Sequence, residues 1–177
     1  MNICIFGASS KQISHIYFRV AEDLGELIGK GGHVLVHGGG MEGLMGKVAE
    51  HVQQHSGKVI GIIPEKLNRS GVVREQDNET IVTKTMAERK EKMFDLADAF
   101  IALPGGFGTL EELLEIMTLN QLGYTEKPVI ILNTNNYYDS LLEQFKKLFE
   151  ENFAASHYTS LYRVAETANE AMDYLCS

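Results

Sequence analysis

The stretch Pro104-Gly105-Gly106-Phe107-Gly108-Thr109-Leu110-Glu111-Glu112 carries the densest chemistry in the chain. It follows an apolar run over residues 99–103. It precedes a three-four spacing of Leu110, Leu113, Leu114 and Met117. A strand that ends in glycines and turns into a helix offers free backbone N–H groups at the positive end of a helix dipole. Glycine lets an anion approach them. Gly7-Ala8-Ser9-Ser10 and Gly38-Gly39-Gly40 have the same character. One such loop can be a tight turn and nothing more. Three at the same edge of one sheet would cradle a nucleotide.

The charged residues nearby admit two readings. Glu112 lies three residues after Thr109, the spacing of a capping box in which the carboxylate reaches back to the Thr109 N–H. The same carboxylate could instead face a ligand held by the glycine loop. Glu111 and Glu115, at i and i+4, read as solvated or paired. Arg89 and Lys90 sit in Glu88-Arg89-Lys90-Glu91-Lys92, by composition a solvated helix face. His51 and His55 have metal-ligand spacing, but no Glu follows His51, so a solvated face is expected. His37 ends an apolar run beside Gly38, where a ligand contact or a packed or capping histidine would fit.

The glycine patterns exclude one nucleotide site and leave another open. No Lys followed by Ser or Thr completes a G-x-x-x-x-G-K frame, so there is no P-loop. Gly38-Gly39-Gly40-Met41-Glu42-Gly43 does satisfy G-x-G-x-x-G, and Glu65 stands about 20 residues on, as a dinucleotide site would have it. Against that reading, the match falls on the second strand, and the chain has no room for a separate substrate domain.

These loops need elements to hold them. Apolar runs at residues 3–6, 33–37, 58–63, 99–103 and 128–132 predict strands. Helical spacing predicts helices over residues 13–28, from 44 to near 57, over 86–97, from Thr109, over 138–149 and over about 166–175. Residues 65–79 are polar and read as a loop. Alternating strands and helices predict an α/β fold of Rossmann-like type, an open parallel sheet with helices on both faces. Continuously apolar strands fit burial on both faces. In such sheets ligands bind at the carboxyl ends of the strands, where all three glycine loops fall. A single nucleotide-binding domain over residues 1–177 is expected.

Composition narrows the partners. Twenty-four acids against 16 bases give a net charge of −8, and no Lys/Arg run exceeds two residues, which disfavours a nucleic-acid surface. Any anionic ligand must be held locally, against the overall field. No apolar stretch approaches the ~20 residues of a membrane span. The N-terminal residues lack the pattern of a secretory signal. Two cysteines make no disulfide framework; Cys4 is expected buried and Cys176 frayed, and a cytoplasmic location is the expectation.

The motif at residues 104–112, with Met86-Ala87-Glu88-Arg89-Lys90 upstream, resembles the Lonely Guy family of cytokinin riboside 5′-monophosphate phosphoribohydrolases, which share P-G-G-x-G-T-x-x-E and a preceding Arg-Lys pair. Further matches are Gly38-Gly39-Gly40 with Gly43-Leu44-Met45-Gly46, Gly61-Ile62-Ile63-Pro64, Gln121-Leu122-Gly123 and Lys127-Pro128-Val129. The resemblance runs to about residue 149. Many such proteins carry the label "lysine decarboxylase", but nothing in the residues suggests a pyridoxal phosphate site. Two departures stand out: His37 replaces an expected Tyr before the triple glycine, and residues 65–80 do not match cleanly, which bears on the base pocket.

The resemblance implies hydrolysis of the N-glycosidic bond of an adenosine 5′-monophosphate, N6-substituted or not, releasing the base and ribose 5-phosphate. It places catalysis on Glu112 and Arg89, the arginine fixing the carboxylate in a bidentate pair. It places substrate binding on Met86, Arg89, Lys90, Gly105, Gly106, Phe107, Gly108, Thr109, Leu110, Glu111, Glu112 and Thr118. Neither metal nor cofactor is required. A homodimer is implied, and Met93, Phe94, Ile116 and Leu119 are expected to supply a second apolar face for it. The rivals are a non-catalytic nucleotide or molybdenum-cofactor carrier of similar fold and a small dinucleotide-dependent oxidoreductase.

Overall fold

A computed structural model describes residues 1–176. Seven strands, all parallel, form one sheet: β1 (Asn2–Phe6), β2 (Val34–His37), β3 (Lys58–Pro64), β4 (Glu79–Thr83), β5 (Ala99–Ala102), β6 (Val129–Leu132) and β7 (Arg163–Ala165). Their spatial order is β4-β3-β2-β1-β5-β6-β7. The chain therefore winds outward from β1 in one direction, then returns to β5 and winds the other way. The crevice between the ends of β1 and β5 is the switch point at which open α/β sheets take ligands.

Six α-helices cover the two faces: α1 (His15–Lys30), α2 (Gly43–Gln54), α3 (Met86–Leu96), α4 (Phe107–Gln121), α5 (Asp139–Glu150) and α6 (Ala168–Cys176). The alternation of side chains along each strand splits the core in two. Ile3 and Ile5 pack with Leu24, Ile28, Leu44 and Met172 beneath α1, α2 and α6. Cys4 and Phe6 pack with Met93, Ile116, Tyr138 and Phe145 beneath α3, α4 and α5. This is the Rossmann-like arrangement anticipated from the alternating pattern.

The two outermost strands were not anticipated. Within and after the expected loop, residues 65–67 make one turn of 3₁₀ helix and residues 79–83 form β4. β4 lies at the sheet edge, and most of its side chains face solvent, so its residues lack the apolar continuity of an inner strand. β7 is only three residues long and forms the other edge. The helix expected from Thr109 begins two residues earlier, at Phe107, with Gly106 as its N-cap. The last helix begins at Ala168 rather than near residue 166.

Candidate active site

The first and third glycine loops meet at the switch point. Ala8 donates its N–H to the Pro104 carbonyl at 3.1 Å, tying the end of β1 to the end of β5. Leu44, in the first turn of α2, donates its N–H to the Ala8 carbonyl at 2.8 Å. Gly43 has φ +67°, and a Cβ there would overlap the Ala8 carbonyl, so the second glycine stretch must lack side chains to pack against the first. Gly7, Ala8, Ser9, Met45, Leu67, Met86, Arg89, Glu111, Glu112 and residues 106–109 line an open cleft of about 310 Å³. A larger hollow of about 560 Å³ lies between α3 and α4, but it lacks both glycine loops. Chemistry, not size, selects the cleft.

Arg89 and Glu112 form its floor. Arg89, in the first turn of α3, is 7% exposed; Glu112, six residues into α4, is also 7% exposed. Nη1 of Arg89 donates to Oε1 of Glu112 at 2.8 Å, and Nε donates to the Ile62 carbonyl at 3.1 Å. The bond to Ile62 aims the Nε edge of the guanidinium at β3, so the pair is held by one hydrogen bond and not the bidentate fork expected. Among the described residues Arg89 is the hydrogen-bond partner of Glu112, which leaves Oε2 available to a ligand or water. Burial pushes the Glu112 carboxyl above the ordinary carboxylate range, with the adjacent Arg89 opposing that rise.

Glu112 therefore caps nothing. Thr109 is the third residue of α4, not the residue before it, and the helix N-cap is Gly106, whose carbonyl accepts from the Leu110 N–H at 3.0 Å. The capping-box alternative fails because the helix starts earlier than its periodicity suggests. The N–H groups of Phe107, Gly108 and Thr109 are the first of a 15-residue helix, with no acidic residue in its first turn. Such a helix end can receive an anion. Thr109 is buried at 4% exposure, with its side chain seated over Gly105.

The triple glycine reaches the site through Arg89. A Cβ on Gly38 would overlap Nη2 of Arg89 and stand 3.0 Å from Cζ, so only glycine leaves room for the guanidinium. His37, just before it, is fully buried and bonds Asp77 Oδ2 through Nε2 at 2.7 Å; it is a packed histidine. Asp77 also pairs with Arg74 at 2.5 Å, and Arg74 reaches Gln53 at 2.7 Å. The Arg74 N–H donates to the Gly39 carbonyl at 2.8 Å. This network straps residues 74–77, within the segment 65–80 that departs from the family pattern, across the triple glycine. Nothing in residue spacing joins His37 to Asp77, 40 positions apart.

Several expected site residues stand elsewhere. Lys90 turns toward α4, where it pairs with Glu111 and, at 2.6 Å, with Glu115. Burial opposes the charge on Lys90, but those two carboxylates outweigh it and raise its pKa. Lys90 therefore does not line the cleft, and Glu111 and Glu115 are paired rather than solvated. Gly105 and Leu110 lie behind the lining: the Gly105 carbonyl accepts from Tyr137, and Leu110 packs against the core under α4. Thr118 lies six residues past Glu112, roughly 240° around the helix. Its hydroxyl donates to the Leu114 carbonyl, and it borders an apolar cleft beside Phe145, Phe149 and Tyr158.

The expected dimer face also needs correction. Met93, Phe94 and Ile116 are buried in the protomer's own core, and Leu119 is packed against it. The exposed apolar side chains of α4 are Phe107 and Leu114, with Leu122 and Tyr124 just beyond its end. His55 Nδ1 bonds the His51 carbonyl at 2.9 Å. Among the described residues no three His, Cys, Asp or Glu side chains are grouped to hold a metal ion. No helix among them is long and apolar enough to cross a membrane.

Known proteins share this pattern across the chain. A family described as "Possible lysine decarboxylase" matches residues 45–175. Two cytokinin riboside 5′-monophosphate phosphoribohydrolases of Arabidopsis thaliana are similar over 98% of this chain and 80% of their own length. LOG4 is 42% identical and LOG3 is 43% identical. Among solved structures, the molybdenum cofactor binding protein of Rippkaea orientalis superposes with a TM-score of 0.73 at 25% identity, covering 99% of this chain and 93% of that one. The Moco carrier protein of Chlamydomonas reinhardtii has the same fold, with a TM-score of 0.74 at 21% identity over 99% and 94% of the two chains. Identity above 40% over nearly the full length places the sequence, and the chain belongs to the Lonely Guy family of cytokinin riboside 5′-monophosphate phosphoribohydrolases.

Proposed function

We propose that this chain hydrolyses the N-glycosidic bond of adenosine 5′-monophosphate or an N6-substituted form of it, releasing the free base and ribose 5-phosphate. The observation that carries the reading is the buried Arg89–Glu112 pair, set beneath a cleft whose wall is the free N-terminus of α4. The N–H groups of residues 107–109 take the phosphate, with the Thr109 hydroxyl at their inner edge. That fixes the ribose over Glu112.

Cleavage of the bond from the anomeric carbon to the base develops positive charge on the ribose, as in glycoside hydrolysis. The Glu112 carboxylate stabilises that charge and orients a water, accepting its proton as the water oxygen bonds to the anomeric carbon. The electron pair of the broken bond leaves with the base, which takes a proton from solvent as Glu112 returns its own to solvent. Arg89 favours the ionised form of Glu112, against the burial that raises its pKa. Met86, Phe107 and Leu67 give the rim an apolar side suited to the base.

A carrier of molybdenum cofactor is the second reading, favoured by the structural likeness to the Rippkaea orientalis protein. A carrier needs no buried carboxylate facing its ligand. The assay that separates the readings follows release of adenine and ribose 5-phosphate from adenosine monophosphate, with and without NAD. Release that does not depend on NAD supports the hydrolase. Absence of release rejects it. We further propose that α4 pairs with its copy in a two-fold homodimer, covering Leu114 and Leu122.

A further inference from the structure

The phosphate-facing loop is held from behind by two consecutive tyrosines. Tyr137 donates its hydroxyl to the Gly105 carbonyl at 2.7 Å, and Tyr138 donates its own to the Leu103 carbonyl at 2.7 Å. Between them, the Pro104 carbonyl accepts from the Ala8 N–H, and the Gly106 carbonyl accepts from the Leu110 N–H. All four carbonyls from residue 103 to 106 are thus claimed by a donor. A loop that binds an anion must keep its carbonyl oxygens turned away, because a flipped peptide would present an oxygen to the phosphate.

The weak point is the peptide between Gly105 and Gly106. Flanked by two glycines, it lacks the Cβ atoms that restrict rotation elsewhere. In a trans peptide the C=O and N–H point to opposite sides, and among the described residues there is no cis peptide. Anchoring the Gly105 oxygen on Tyr137 therefore turns the Gly106 N–H the other way. Gly106 lines the cleft and Tyr137 does not.

The tyrosines are themselves placed firmly. Asn135 and Asn136 adopt left-handed backbone conformations, at φ 54° and 58°, in the turn after β6. Asn133 accepts from the Tyr138 N–H at 2.7 Å and donates to Asp139 at 2.8 Å. The Tyr137 ring meets Tyr17 of α1 edge-on at 5.8 Å. The bracing group thus spans α1 and the β6–α5 turn, outside the cleft.

We infer that Tyr137 is a positioning residue for phosphate recognition: its hydroxyl locks the Gly105–Gly106 peptide so that the Gly106 N–H faces the bound phosphate. Tyr138 supports the same loop one peptide earlier. This rests on the reading of the cleft as a nucleoside monophosphate site, and the test keeps the two apart.

The experiment measures inhibition of adenosine monophosphate turnover by two products, ribose 5-phosphate and adenine, in the parent and in Tyr137→Phe, with direct calorimetric binding of ribose 5-phosphate to both. The ring stays, so the contact with Tyr17 survives and only the hydroxyl is lost. Expected is at least a five-fold loss of affinity for ribose 5-phosphate, with adenine inhibition within two-fold of the parent. A merely structural role would weaken both products alike, and that result rejects the lock. Unchanged affinity for both also rejects it while leaving the hydrolase reading intact. A parent that neither turns over nucleotide nor binds ribose 5-phosphate overturns the site reading and the lock with it. Tyr124→Phe, at an exposed position away from the cleft, is the control and should match the parent.

Discussion

Gly38 and Arg89 are in direct apposition: the glycine follows the last residue of β2, and the place its Cβ would take is filled by the guanidinium that holds Glu112. This explains why a glycine follows His37 even though φ at that position is not in the left-handed region. The missing side chain is the space the arginine occupies. Gly38→Ala should therefore act as an indirect Arg89 variant. Overpacking of this kind costs roughly 1–3 kcal/mol of stability. The larger effect should be on kcat, with at least a ten-fold fall as the guanidinium moves off Glu112. Thermal unfolding and steady-state kinetics on one preparation check both.

The pH profile follows from the burial of Glu112. Its carboxyl is held above the ordinary carboxylate range, and the proposed chemistry needs it ionised. The acid limb of kcat should fall at a pH above about 4.5, the usual carboxylate region. The parameter is kcat because the phosphate of free substrate also titrates near 6. For stability the sign is opposite. The native state holds this proton more tightly than the unfolded chain, so the Glu112 contribution is full below the ordinary value and is lost as pH rises through the raised one. A Glu112→Gln variant should lack that component in denaturant titrations across the window.

Phosphate recognition should dominate substrate choice. If the N-terminus of α4 aligns the ribose through the phosphate, binding energy there is used in the transition state. Adenosine monophosphate should exceed adenosine in kcat/KM by roughly two orders of magnitude or more. Equal values for the two would remove the role given to residues 106–109.

The exposed apolar side chains of α4 bear on assembly. Leu114 is 43% exposed and Leu122 is 62% exposed in the isolated protomer. Light scattering at micromolar concentration should give twice the protomer mass, and Leu114→Glu should shift it toward one. A parent particle of a single protomer mass contradicts the dimer.

Much of this architecture was legible because the five inner strands are apolar on both faces, a pattern that survives without neighbours in view. Both edge strands escaped for the complementary reason: β4 is largely solvent-facing and β7 is three residues long. The start of α4 was misjudged because Phe107-Gly108 reads as loop, whereas a helix needs no apolar contact in its first turn. At the site, the pairing of residue types at 89 and 112 was readable from motif spacing. The Ile62 carbonyl that leaves Arg89 with one bond to Glu112 was not. Nor were the Lys90 pairs with Glu111 and Glu115, the His37–Asp77 contact or the tyrosines behind Gly105. Each depends on elements 20 to 40 residues apart meeting through the sheet order. Thr118 matches by residue type, yet in the protomer it stands beside Phe145 and Phe149 and not among the residues lining the cleft.

The central claim, that Glu112 does the chemistry, is tested most directly by the kcat of Glu112→Gln. Glutamine keeps an oxygen to accept from Arg89 Nη1, so the fold should survive, at a cost of no more than about 3 kcal/mol for the uncompensated guanidinium. What disappears is the negative charge beneath the ribose and the capacity to take a proton from water. With folding verified by circular dichroism, kcat for adenosine monophosphate should fall at least a hundredfold, roughly 2.7 kcal/mol of lost transition-state stabilisation. Glu111→Gln, at a carboxylate that also lines the cleft but pairs with Lys90 and not with Arg89, should retain most activity. Turnover by Glu112→Gln at near the parental rate would contradict the account.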